Sequence, residues 1–200
     1  SAIQMIEEVE KSSPSPRISS LLGDYYASVK KDTLAMQYYS AALALEPGYI
    51  PAIFGLAESY RIRGQYDLYF QHMFPFMANS DVNPGMKVEY MKEILANQKF
   101  VQTFYPQIDT LMQNLYTAHP EDSLVAYNHA VFLVQSARPE KGLDILKDNI
   151  KRYPEERNPL HQYLSLLYYL EKWDELISMS DSALLSHPAD IEFMQLKGIG

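Results

Sequence analysis

The chain has 200 residues, of which 47% are hydrophobic, and this content is ordinary for a folded core. Its 25 carboxylates outnumber its 17 lysines and arginines, and the resulting charge of −8 disfavours nucleic acid and anionic membranes as partners, because both need a concentrated positive field. The absence of cysteine excludes disulfides and thiolate metal sites, and no apolar run approaches the roughly 20 residues that insertion into a membrane requires.

The first predicted element is a helix over the segment "AIQMIEEVEK", in which Ile3, Ile6 and Val9 fall on one helical face. Next in the chain, Ser15 and Pro16 form a helix start, since serine is a good N-cap and proline suits the first helical position. Two amphipathic stretches follow, "ISSLLGDYYASV" and "DTLAMQYYSAALAL", separated by a short turn. This pattern predicts a helical hairpin.

Prolines that follow helical stretches recur along the chain at a fixed spacing. Pro120, Pro154 and Pro188 are 34 residues apart, and Pro47 precedes Pro120 by 73 residues, which is two such periods plus five residues. A period in this range is typical of stacked supersecondary units. The first predicted unit, 1–12, is a truncated repeat that retains its second helix, and the last, 190–200, is a truncated repeat that retains its first helix. Between them lie five predicted hairpins, which span residues 16–47, 50–84, 85–120, 123–154 and 157–188. The third of these hairpins, 85–120, is degenerate.

The middle of the chain departs from this pattern. Pro75 falls inside the predicted second helix of the unit 50–84, where proline removes a hydrogen bond and costs about 3 kcal/mol. We therefore expect that helix to stop early or to kink near Phe74. The following unit, 85–120, keeps Leu95 but has extra residues and no clear glycine or tyrosine signature.

The spacing of small and aromatic residues in the first unit resembles that of a tetratricopeptide repeat (TPR); these residues are Leu22, Gly23, Tyr26, Ala35, Tyr39, Ala42 and Pro47. Glycine and alanine in this pattern permit a close approach of two helices, and Ala130 and Gly198 fall in the same kind of position as Gly23. The resemblance implies an all-α fold, a right-handed α-solenoid of stacked antiparallel helix hairpins.

Motifs for catalysis or for cofactor binding were not found. The sequence has no glycine-rich phosphate loop, calcium loop or His-Glu-x-x-His zinc motif. His161 and Ser165 lie four residues apart on one helical face, but no carboxylate in the sequence is placed to orient the histidine. We therefore predict no enzyme activity, cofactor or metal for this segment.

The resemblance implies a protein-interaction scaffold that binds a peptide segment or a partner protein in a concave groove lined by the first helices. The alternative is a ligand- or carbohydrate-binding accessory surface protein that uses tyrosines for stacking. Trp173 is the single tryptophan, and its position in an inter-hairpin packing slot disfavours that alternative. A catalytic domain outside the segment is a third, more distant hypothesis.

The repeat register places a set of first-helix residues in the groove: Phe54, Glu58, Arg61, Tyr127, Asn128, Val131, His161, Ser165 and Tyr168. Family members that hold the acidic tails of heat-shock chaperones use lysine, arginine and asparagine at such positions, and here only Asn128 matches in type. The groove is therefore expected to bind apolar anchors with little dependence on salt. Burial of Phe54 and Tyr127 between hairpins is the alternative interpretation.

The half-repeats at both ends indicate an internal segment of a longer solenoid. Their apolar residues, among them Ile3, Ile6, Phe193 and Met194, are expected to be partly uncovered. This predicts self-association through the truncated ends, or covering by further sequence.

Overall fold

The computed structural model describes residues 2–199, and within this range the chain forms thirteen α-helices and no β-strand. The helices are α1 (Ala2–Ser12), α2 (Pro16–Ser28), α3 (Asp32–Leu45), α4 (Ile50–Ile62), α5 (Tyr66–Ala78), α6 (Pro84–Ala96), α7 (Gln98–Thr103), α8 (Tyr105–Ala118), α9 (Ser123–Gln135), α10 (Pro139–Arg152), α11 (Arg157–Tyr169), α12 (Trp173–Ser186) and α13 (Ile191–Ile199). The all-α prediction is confirmed. The repeat boundaries stay predictions, and their outermost residues, Ser1 and Gly200, lie outside the described range.

Helix starts follow the capping chemistry of the sequence. The Ser15 hydroxyl accepts a hydrogen bond from the backbone N–H of Ile18 at 3.2 Å, and Pro16 is the first residue of α2. The Asp122 carboxylate accepts one from the N–H of Val125 at 2.9 Å at the start of α9. Each cap satisfies an N–H group that has no partner inside its own helix.

Four hairpins turn through one residue in the left-handed conformation, between α2 and α3, α4 and α5, α9 and α10, and α11 and α12. These residues are Lys30, Gly64, Ala137 and Glu171, with φ of 61°, 71°, 57° and 57°. In each turn the N–H of the next residue donates to a carbonyl five residues earlier, at 2.8 to 3.0 Å. This is the Schellman arrangement that ends a helix.

The described chain forms two compact units that do not follow the sequence order strictly. The first unit extends to Asn83 and also contains Asn97–Asn114, whereas the second contains Pro84–Ala96 and the residues from Leu115 onward. The two helical parts of the predicted degenerate repeat therefore belong largely to different units.

In the first unit, Tyr39 of α3 occupies the space left by two glycines. A Cβ atom added to Gly23 of α2 would lie 2.5 Å from the Tyr39 ring, and one added to Gly55 of α4 would lie 2.4 Å from it. The Tyr39 hydroxyl donates to Asp24 at 2.7 Å. The predicted close approach at Gly23 is confirmed, and Tyr39 fixes the spacing of three helices.

The expectation that α5 stops early near Phe74 is wrong, and the alternative expectation of a kink at that point stays a prediction. The helix continues past Pro75 to Ala78. Residues on both sides of the proline, including Met73 and Phe76, are buried, and the side-chain amide of Asn114 donates to the carbonyl oxygen of Phe74 at 3.2 Å. Packing and this side-chain hydrogen bond offset the backbone hydrogen bond that proline removes.

The extra residues of the degenerate repeat form the short helix α7. The Phe100 ring of this helix and the adjoining Phe104 pack against Tyr66 of α5, with ring centroids 5.5 and 4.6 Å apart. The insertion therefore adds aromatic packing to the first unit.

The second unit packs α6 against α9 and continues through α10, α11, α12 and α13 in succession. Its core cluster consists of Ala130, Leu143, Leu146, Leu160, Tyr163, Leu164, Leu166, Leu167, Leu176, Ala183 and Phe193. The expected exposure of Phe193 is wrong, because its ring is fully buried with the Arg157 guanidinium 5.6 Å above it. Ile6 and Met194 are exposed, as expected.

Gly198 differs from the other predicted close-approach positions. No heavy atom of the described chain lies within 4 Å of a Cβ added there. The reason is that no described helix follows α13.

None of the described helices has both the length and the apolarity that crossing a bilayer requires.

Candidate functional site

A cavity of about 270 Å³ in the second unit is the candidate site. It lies between two first helices of successive hairpins, α9 and α11, and α10 closes part of it. We call it the α9–α11 cavity, and its lining residues are Tyr127, Val131, Val134, Gln135, Leu146, Gln162, Ser165, Leu166 and Tyr169. Three of the predicted groove residues line it, namely Tyr127, Val131 and Ser165.

The lining residues follow the helical period on both walls. On α9 they recur at intervals of four, three and one residues, from Tyr127 to Gln135, and on α11 at intervals of three, one and three, from Gln162 to Tyr169. Residues at such intervals share one face of a helix. The cavity is thus formed by two facing helical surfaces, with Leu146 of α10 behind them.

The cavity lining carries no formal charge, since six of its residues are apolar or aromatic and Gln135, Gln162 and Ser165 are neutral and polar. The whole of α9, "SLVAYNHAVFLVQ", lacks aspartate, glutamate, lysine and arginine. An ionised group placed in such an environment would lose its hydration without gaining a partner. The lining therefore suits a neutral, largely apolar group.

One polar atom of the lining lacks a partner. The amide oxygen of Gln162 is buried and accepts no hydrogen bond from any residue that the structure describes. Such an atom carries a free-energy penalty until a donor reaches it. The site thus combines a mainly apolar surface with one buried acceptor that has no partner.

A hydrogen-bonded ion pair holds α11 against its neighbours next to this site. The hydroxyl of Tyr163 donates to Glu175 of α12, and the ammonium of Lys147 on α10 lies 3.0 Å from the same carboxylate. Burial, followed by this hydrogen bond, raises the pKa of Tyr163. The hydrogen bond from Tyr163, with Lys147, lowers the pKa of Glu175. The carboxylate therefore favours its ionised form and links α11 to α10 and α12.

The remaining predicted residues of the second unit lie outside the cavity lining. Asn128 donates to the carbonyl of Leu124 in its own helix at 2.8 Å. The imidazole of His161 lies 3.3 Å from the Glu192 carboxylate on α13. The ring of Tyr168 meets Trp173 edge to face at 5.7 Å.

The predicted residues of the first unit have local partners on α4 and α5. The half-buried ring of Phe54 lies 5.5 Å from Phe76. The guanidinium of Arg61 forms two short hydrogen bonds with Glu58, at 2.8 and 2.9 Å. The contact with Phe76 favours the interpretation that Phe54 packs between helices. The opposite charges of Arg61 and Glu58 offset each other.

Reasoning from the sequence missed six lining residues, but the helical and repeat periods contain a signal for three of them, Val134, Gln135 and Tyr169. Gln135 and Tyr169 are 34 residues apart, as are the predicted Val131 and Ser165, so each pair occupies equivalent positions. Extending the predicted face of α9 by one helical turn reaches Val134 and Gln135. Leu146 has no such signal, because it comes from a second helix.

Within the described residues, no three histidine, cysteine, aspartate or glutamate side chains are grouped as metal ligands would be.

No family model matches the chain, and no curated protein matches it. Solved structures, in contrast, match the chain. YrrB, described as a TPR protein with an unusual peptide-binding site, aligns over 99% of this chain and 98% of its own, with a TM-score of 0.54 and 14% identity. TTC0263, a thermophilic TPR protein of Thermus thermophilus, aligns over 92% and 97%, with a TM-score of 0.49 and 13% identity. Together with the helical hairpins described above, the likeness to YrrB shows that the chain has the tetratricopeptide repeat fold, an all-α helical solenoid.

Proposed function

We propose that the chain is a protein-interaction scaffold and that it binds a peptide segment of a partner protein at the α9–α11 cavity. The observation that carries this proposal is an uncharged, mainly apolar cavity between the first helices of two hairpins. The description of YrrB as having a peptide-binding site supports it, since that protein shares the fold.

The chemistry of the lining favours anchoring by an apolar side chain. Binding of a carboxylate tail requires charge-assisted donors, and the lining offers no lysine or arginine. Interactions between neutral groups are not screened by salt. We therefore expect peptide affinity to change less than two-fold between 50 and 500 mM NaCl.

The proposal is tested by selecting peptides from a phage-displayed library of random 12-residue sequences on the immobilised chain. The affinity of the selected peptides is then measured by fluorescence anisotropy for the wild type and for Val131→Arg and Ser165→Arg. Each substitution introduces a charge into the neutral lining and should weaken binding at least ten-fold.

The matched control is Leu185→Arg, which introduces the same side chain on α12 at a position that is 87% exposed and outside the lining. It should leave peptide affinity within two-fold of the wild type. Circular dichroism of all variants establishes that they are folded. Selected peptides that bind Val131→Arg and Ser165→Arg as tightly as the wild type would show that the cavity is not the site.

An exposed aromatic group favours a second candidate, the carbohydrate-binding surface. Tyr168, Tyr169 and Trp173 are 43%, 72% and 37% exposed around the turn between α11 and α12. Exposed aromatic rings can stack on sugar rings. A glycan array probed with the wild type and with Trp173→Ala tests this function: binding that depends on Trp173, without peptide selection, would favour it over the peptide proposal.

A further inference from the structure

The volume of the α9–α11 cavity exceeds that needed by a single six-membered ring. Apolar protein cavities of about 150 Å³ bind benzene. At about 270 Å³, this cavity accommodates a larger ring system. Tyr127 and Tyr169 stand on its two helical walls, so a flat aromatic group entering it meets an aromatic side chain from each helix.

The polarity of the lining limits which side chain of a bound segment can occupy the cavity. Charged side chains are disfavoured because no lining residue carries a compensating charge. Leucine, methionine and phenylalanine fit the apolar surface, but they bring no donor for the buried amide oxygen of Gln162. The terminal torsion of glutamine is soft, so the amide group can rotate to present this oxygen to an occupant.

Tryptophan is large, aromatic and uncharged, and it carries a hydrogen-bond donor, so it meets all of these requirements. Its indole is a large bicyclic group, and its ring N–H is a donor that accepts nothing in return. A tyrosine hydroxyl also donates, but its oxygen is an acceptor as well, whereas the unpartnered atom of the lining requires only a donor.

We infer that the α9–α11 cavity is a tryptophan pocket, which receives the indole side chain of the partner segment and uses Gln162 as the hydrogen-bond acceptor for the indole N–H. This inference rests on the proposed function, because it specifies which residue of the bound segment enters the cavity.

Indole and 1-methylindole are the first probes, because they differ in the N–H group that the inference requires. Each is titrated into the ¹⁵N-labelled chain, and the backbone amide signals of α9 and α11 are followed by NMR. Indole should shift signals of the lining residues and should bind at least three-fold more tightly than 1-methylindole. Equal affinities, or shifts confined to other helices, would overturn the inference.

Gln162→Leu removes the acceptor and keeps a side chain of similar size. In this variant the two probes should bind with equal affinity. Gln135→Leu is the matched control, since it removes another glutamine of the same lining, and it should retain the three-fold preference for indole. A preference that persists in Gln162→Leu would exclude Gln162 as the acceptor.

The selected 12-residue peptides separate this inference from the proposed function. Tryptophan should be enriched in them, and replacement of that tryptophan by phenylalanine should weaken binding at least five-fold. Peptides that lack tryptophan, yet depend on Val131, would overturn the inference and leave the proposed function standing. Indole binding without any selected peptide would overturn both, because the occupant would then be a small molecule.

Discussion

Gly142 of α10 lies so close to α9 that its missing side chain sets the distance between the two helices. A Cβ atom added to Gly142 would lie 2.8 Å from the backbone carbonyl oxygen of Ala130. Ala130 itself is buried in the core of the second unit. Since the contacted atom belongs to the backbone of a packed helix, it cannot move aside as the end of a flexible side chain can.

Overpacking by Gly142→Ala should cost about 1–3 kcal/mol, and alanine in a helix interior should return about 1 kcal/mol. We therefore expect a net loss of up to about 2 kcal/mol in the free energy of unfolding. Gly198→Ala in α13 is the control, because an added methyl group meets no described atom within 4 Å, and it should be neutral or slightly stabilising. Urea denaturation measures both variants; equal stability of the two would contradict the close contact.

Close approaches were only partly predictable from the sequence. Gly23 and Ala130 were identified because their spacing matches the repeat, and both are buried. Gly55 was missed, although the Tyr39 ring rests on it as closely as on Gly23. Its role depends on contact with the preceding hairpin, and a one-dimensional pattern does not show which side chain crosses between hairpins.

At the scale of the helical hairpin, the left-handed residues in the turns offer a test of local energetics. The turns of the second unit place Ala137 and Glu171 in this conformation, whereas the turn between α4 and α5 has Gly64. A residue with a Cβ atom loses roughly 1–2 kcal/mol in the left-handed region, and glycine does not. Glycine, however, loses about 0.5–1 kcal/mol more than alanine in conformational entropy on folding.

We therefore expect Ala137→Gly to raise the free energy of unfolding by up to about 1 kcal/mol, and Gly64→Ala to lower it by a similar amount. The two substitutions are opposite changes at equivalent turns, so each serves as the control for the other. Thermal denaturation followed by circular dichroism gives the result. Shifts of the same sign in both variants would be inconsistent with the Schellman geometry of the turns.

Helices were predictable where caps and period agree, and the least predictable segment was the middle of the chain. Pro75 was expected to end α5 or to kink it, and the helix does not end there: Phe76 and its neighbours are buried, and Asn114 donates a hydrogen bond to the carbonyl of Phe74. The residues of α7 were predicted only as an insertion. Tertiary contacts decide both cases, and local sequence does not contain them.

At the scale of the whole molecule, we expect three titratable groups to give the free energy of unfolding a maximum in the alkaline range. Burial lowers the pKa of Lys87 to about 8 from its ordinary 10.5. Burial, followed by hydrogen bonds to Asp24 and Glu175, raises the pKa values of Tyr39 and Tyr163 above 10.0. The folded state therefore favours the neutral forms of all three side chains.

The free energy of unfolding should rise as pH increases from about 8 to 10, because the unfolded state still binds the Lys87 proton while the folded state has lost it. Above about pH 10 it should fall, since Tyr39 and Tyr163 ionise more readily when unfolded. Urea denaturation from pH 7 to 11 measures this profile.

Lys87→Met is expected to abolish the rise between pH 8 and 10 and to keep the fall above pH 10. Tyr39→Phe is the complementary control, which keeps the rise and reduces the fall. A wild-type profile that is flat from pH 7 to 10 would show that Lys87 is not neutral in the folded chain.

The position of Trp173 gives the molecule a natural optical reporter. It is the single tryptophan of the chain, it is 37% exposed, and its ring contacts Tyr168 within the second unit. Fluorescence excited at 295 nm therefore follows the surroundings of one turn in one unit, whereas far-ultraviolet dichroism sums the helices of both. Unfolding curves recorded by the two signals coincide if the units melt together, and they separate if the units melt one after the other.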